Sequence, residues 1–128
     1  MFKNLFITLL VMLPLDIIWL FLMKNTYDKW LVNFERVVNW PAVLLVYIFI
    51  PLGLFWLVIS RHIDNGPTTK ALIDAFVYGV CAYAVYDLTN LATLKGWSVQ
   101  MTIVDIIWGG ILCLTTAYFA LTIIQKIS

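Results

Sequence analysis

Charge is scarce in this chain. Asp, Glu, Lys and Arg make up only 12% of its 128 residues, while 63% are hydrophobic; a typical soluble domain is about 25% charged, so a water-soluble fold is excluded. Histidine occurs once and cysteine twice, which gives no zinc-type cluster and no disulfide framework. Cys81 and Cys113 lie within apolar stretches and are expected as reduced, packed thiols. A glycine-rich phosphate loop and a nucleophile elbow are both missing, which disfavours phosphoryl transfer, hydrolysis and redox chemistry, and no cofactor or metal is expected. The net charge of +1 offers no basic field for nucleic acid.

What the chain has is long apolar runs, with a mean hydropathy of +0.97. A spanning helix takes about 20 residues, so residues 1–128 are read as one all-α integral membrane domain of four transmembrane helices, with membrane lipid as its first partner. Helix one, Leu5 to Met23, is too long for a signal-peptide core and lacks a small-residue cleavage site, so it is expected to be retained. Pro14 should bend it near Leu10. Between Lys24 and Pro41 the residues Tyr27, Trp30, Leu31, Phe34, Val37 and Val38 recur at helical spacing, with Asp28, Lys29, Glu35 and Arg36 opposite. This predicts an interfacial amphipathic helix between helices one and two, either a solvated connector with aromatic anchors or a lid over a site below it.

Pro41 suits the first turn of helix two, Ala42 to Ser60, which Pro51 should kink. In the loop Arg61 to Lys70, Asp64-Asn65-Gly66-Pro67 signals a turn, Thr68 or Thr69 can cap the next helix, and His62 is expected at the surface. Helix three, Ala71 to Leu94, closes at Lys95-Gly96 with glycine available for a left-handed cap, and helix four follows from Met101 to Ile124. Gly109, Cys113, Thr116 and Ala120 form a small-residue stripe matched by Ala75, Gly79 and Ala82, which favours close helix contact within one chain or across a homodimer.

Three acids fall inside the spans: Asp16, Asp87 and Asp105. Each costs about 2.5–3.5 kcal/mol on insertion scales unless it is satisfied or kept for a function. At about 1.5 Å per residue across a core about 30 Å thick, Asp16 lies roughly 17 Å from the face where helix one begins, and Asp87 and Asp105 roughly 24 Å from it. They share one layer, nearer the face that carries Lys95 and Trp97. No cation lies at that depth, although Lys95 can reach down from its edge. Protons, a bound cation or polar partners such as Tyr83, Tyr86, Thr89 and Asn90 must therefore relieve the carboxyls, and at least one is expected to be a neutral acid. Gly79, Tyr83, Asp87 and Asn90 share a face of helix three, with Tyr86 at its edge; Trp19 shares a face with Asp16. Asp16-Ile17-Ile18-Trp19 is echoed by Asp105-Ile106-Ile107-Trp108, and in antiparallel helices such an echo has the inverted sense found inside transporters.

The run from Tyr86 to Trp97, YDLTNLATLKGW, together with Leu15-Asp16-Ile17-Ile18-Trp19 and Asp105-Ile106-Ile107-Trp108-Gly109, resembles a family of small bacterial predicted membrane proteins classed only as a domain of unknown function. The resemblance covers nearly the whole chain and implies a multi-pass protein of the bacterial inner membrane, without a mechanism. The residues admit three classes. A proton- or cation-coupled carrier of a small lipophilic ligand would use the carboxylates and their aromatic surround. A membrane enzyme acting on a lipid or isoprenoid would use an aspartic acid as proton donor. A structural partner subunit would use the same groups to hold helices in register. The residues expected to bind substrate or protons are Asp16, Asp87, Asp105, Asn90, Tyr83, Tyr86, Trp19, Trp108 and Thr89.

Overall fold

In hydrocarbon every backbone N–H and C=O must be satisfied within its own segment, so the apolar runs fold as helices. In the computed structural model, which describes residues 2–128, these are α1 (Phe2–Trp30), α2 (Trp40–Leu57), α3 (Thr69–Thr93) and α4 (Val99–Ile127), with a 3-10 turn at Ile59–Arg61. Each helix is long and apolar enough to cross a membrane. All four extend past the sequence-derived start, and α1 and α2 run on through Pro14 and Pro51. Three helix starts use polar caps: Asn39, Thr68 and Ser98 accept from the backbone N–H of Ala42, Ala71 and Met101 at 3.2, 3.2 and 3.0 Å. Past the end of α3, Gly96 takes the left-handed conformation at φ +84° that turns the chain towards α4.

Helix α4 is the hub. It packs along α3 and against α1, α1 packs on α2, and α2 barely touches α3. The α3/α4 contact is as close as two helices can come: a Cβ at Gly79 would run into the Gly109 carbonyl, and one at Gly109 would meet the Gly79 carbonyl and the Tyr83 ring. The two small-residue stripes therefore meet each other within one chain. At the end where α2 finishes and α4 terminates, Leu54, Ile59, Ala71, Ala117, Leu121 and Ile124 close a dry apolar core. There the Tyr78 hydroxyl, lying over Gly53, donates to the Ile50 carbonyl at 2.9 Å and ties α3 to α2. At the other end aromatic and carboxyl side chains replace that packing.

Three expectations are corrected. No interfacial helix forms between α1 and α2: residues up to Trp30 prolong α1, residues 31–34 make a turn, and residues 35–39 are irregular. The chain has neither glycine nor proline from Leu15 to Trp40, so nothing stops the first helix where the apolar run ends, and the periodicity continues it. Cys113 is packed as expected, but Cys81 faces outward. His62 is not a free surface residue: its side chain is 14% exposed and its Nε2 lies 3.6 Å from Asp74, which also pairs with Lys70 at 2.8 Å.

Candidate functional site

Asp16, 7% exposed on α1, draws three helices together. It accepts from the Tyr47 hydroxyl of α2 at 2.5 Å and from the Trp108 indole Nε1 of α4 at 3.0 Å. The Trp108 ring lies flat on Trp19, with centroids 4.3 Å apart and planes 5° from parallel. Trp19 Nε1 donates at 3.0 Å to the hydroxyl of Tyr27, about two turns further along α1, and that hydroxyl donates to Asp105. The four-residue echo thus has a reciprocal use. The indole of each copy serves the carboxyl of the other, Trp108 directly and Trp19 through Tyr27.

Asp87 on α3 is fully buried, and neither carboxyl oxygen has a hydrogen-bond partner among the described residues. Its neighbour is the Asp105 carboxyl, within hydrogen-bonding reach. Two carboxylates are both acceptors, so that contact becomes a hydrogen bond only when one of them carries a proton. Without it two charges would face each other, one of them on the fully buried Asp87 that no donor satisfies among the described residues.

Two of the three acids border a cavity of about 260 Å³ at the end of the bundle where α1 finishes and α4 begins. Asp16 and Asp105 line it, with Trp19, Trp108, Tyr27, Tyr47, Tyr83, Tyr86 and Trp97 around them. Phe34 and Tyr86 stand edge-on to Trp97, at 5.5 and 6.3 Å. Arg36 lines the exposed rim of the cavity, where its charge is matched by an ion pair with Asp28. A second, apolar cleft of about 810 Å³ lies between α1, α2 and α3. Asp16, Leu20, Tyr47, Tyr83 and Tyr86 border both spaces.

Six of the sequence-derived residues meet at the cavity: Asp16, Asp105, Trp19, Trp108, Tyr83 and Tyr86. Asp87 sits behind them. Asn90 is half-buried and bonds to no carboxyl among the described residues. Thr89 does not belong to the group: it is exposed, and its hydroxyl donates to the Val85 carbonyl of its own helix at 2.5 Å. Tyr27, Tyr47, Arg36 and Trp97 were not among the residues expected from sequence to bind substrate or protons. Tyr47 has a sequence signal, as the single hydroxyl in an otherwise wholly apolar stretch from Pro41 to Leu57. Among the described residues no three His, Cys, Asp or Glu side chains converge to hold a metal ion.

A family model described as "Predicted membrane protein (DUF2177)" matches residues 1–122. No curated protein and no solved structure matches the chain.

Proposed function

The chain belongs to this family, whose description names a membrane protein and no activity, and from that premise we propose that it is a proton-coupled carrier of a small lipophilic cation in the bacterial inner membrane. The observation that carries the proposal is a cavity walled by aromatic faces and two carboxyls, with a third carboxyl behind it that no donor satisfies. Aromatic faces attract an organic cation without the desolvation that a second buried ion would demand. The Asp87/Asp105 pair supplies the exchange. With the cavity vacant it holds one proton between its oxygens. When a cation settles beside Asp105, the O–H bond breaks, the proton leaves to water at the Lys95 end, and the carboxylate left behind balances the cation. Two positive charges cannot share that site, so cation and proton move in opposite directions.

The test is uptake of ethidium by proteoliposomes across an imposed proton gradient. Uptake should exceed that of protein-free vesicles and collapse when an ionophore dissipates the gradient. Uptake equal to that of protein-free vesicles would overturn the reading. A second reading is favoured by the apolar cleft beside the acid pair: an enzyme in which the neutral carboxyl protonates a lipid or isoprenoid held in that cleft. A mass change in lipid extracted after incubation with the protein, without ethidium uptake, would select it.

A further inference from the structure

The two spaces differ in chemistry, and they join at one place. Away from their shared border the larger is lined by apolar side chains alone, from Met12 on α1 and Val46 and Phe49 on α2 to Ala82 on α3 and Leu112 on α4. Its polar groups, Asp16, Tyr47, Tyr83 and Tyr86, are the ones it shares with the smaller cavity. The cleft is accessible from the side. α2 is tied to α3 at Tyr78 and Ile50 but otherwise barely touches it, and Val46 and Phe49 are 50% and 61% exposed at its outer wall. In a bilayer that exposure is to acyl chains. At about 810 Å³ the cleft falls in the range of sites that enclose a whole ligand.

A small cation fills only the polar cavity and leaves this volume unexplained. We propose that the ligand is a single-chain amphiphile with a cationic head, which enters sideways from the membrane between α2 and α3. Its hydrocarbon chain lies in the cleft, and its head passes Tyr47 to rest between Asp16 and Asp105 among the indole and phenol faces. The head is cationic because the polar cavity offers two carboxyls, Asp16 at the boundary and Asp105 beyond it, and aromatic faces, while the guanidinium at the rim is already paired with Asp28. Tyr47 stands at the junction, and its hydroxyl bond to Asp16 is the contact the head must displace. This inference rests on the cation-binding reading above and deepens it by naming the substrate class.

Chain length alone does not test it, because a longer chain also concentrates the probe in the bilayer, and lipid is as apolar as the cleft. Filling the cleft does. The experiment measures binding of dodecyltrimethylammonium and of chainless tetramethylammonium to the protein in lipid nanodiscs, for wild type, Ala82→Phe, Val46→Trp and Asp16→Asn, with thermal unfolding as the check of fold. Ala82→Phe, or Val46→Trp should the first fail to fold, is expected to weaken dodecyltrimethylammonium about tenfold and leave tetramethylammonium unchanged, whereas Asp16→Asn weakens both. Unchanged dodecyltrimethylammonium binding in a folded cleft-filled variant overturns the inference. Equal competition by dodecyl sulfate also overturns it, since that would make the site one for an anionic lipid head. Binding without ethidium transport would sink the carrier reading and leave the amphiphile site standing; gradient-driven ethidium uptake that is indifferent to cleft filling would do the reverse.

Discussion

Asp16 and Asp87 are both buried aspartates, yet their surroundings predict different responses to the same substitution. Asp16 accepts from two donors, Tyr47 and Trp108. In Asp16→Asn the amide oxygen can keep the Trp108 indole while the NH2 donates to the Tyr47 hydroxyl turned acceptor, so two charge-assisted bonds become neutral ones at a cost of about 1 kcal/mol, read as a lower unfolding temperature in detergent. Asp87 has no donor among the described residues and faces a carboxyl. In Asp87→Asn the new NH2 group can donate to Asp105 in place of the shared proton, so the variant should unfold at or above the wild-type temperature while losing proton-coupled uptake by orders of magnitude. Asp105→Asn should lose uptake as well. Full transport in all three asparagine variants would sink the carrier and enzyme readings together. The proton itself is observable: infrared spectra at neutral pH should show a protonated carboxyl band that vanishes in Asp87→Asn or Asp105→Asn, and its absence from the wild type would remove the acid pair. The acids were legible in sequence because charge at membrane depth stands out. Their partners Tyr27 and Tyr47 were not, because a tyrosine near a membrane surface or in an apolar run matches an ordinary interface anchor or core residue until its hydroxyl is seen to reach a carboxylate.

At the scale of the elements, stability concentrates where α3 crosses α4. Gly79→Ala sets a methyl group against the Gly109 carbonyl, a backbone atom that cannot swing aside, and should cost about 1–3 kcal/mol in thermal unfolding, with Gly79→Leu costing more. Gly96→Ala has open space around it but must hold a positive φ, so its cost should be near 1 kcal/mol and confined to the α3–α4 turn. Equal tolerance of leucine at Gly79 and at an exposed helical position would show that the helices do not cross there. The small-residue stripes were readable in advance; whether they met within one chain or across two was not. The interfacial helix misled for a related reason. An amphipathic pattern from Tyr27 to Val38 fits a new helix on the surface as well as the continuation of an old one, and the pattern holds no record of the Tyr27 hydroxyl meeting Asp105 inside.

For the whole molecule, orientation remains balanced by charge. Lys3, Arg61, Lys70 and Lys126 lie at one end of the bundle, and Lys24, Lys29, Arg36 and Lys95 at the other. The tie weakens the positive-inside rule, and the amino-terminal charge tips it towards a cytoplasmic N-terminus. Reporter fusions to both termini should show them inside together; an external N-terminus or an even mixture would contradict this. The Lys95 end would then face outward, so an inward proton gradient should run the exchange in reverse, protons entering at that end as ethidium leaves there. Composition and hydropathy by themselves determined a four-helix membrane protein and placed its acids in one layer, because the cost of charge and open backbone in hydrocarbon acts on each segment alone. Only the tertiary structure decided that the two Asp-Ile-Ile-Trp copies serve each other, that Asp87 meets Asp105 with no donor of its own, and that α2 stands off α3 to leave a cleft. Those contacts depend on how the helices are rotated and which of them pack, and mean hydropathies of 2.5, 2.7, 1.4 and 1.8 for the four spans carry no information about azimuth or neighbour.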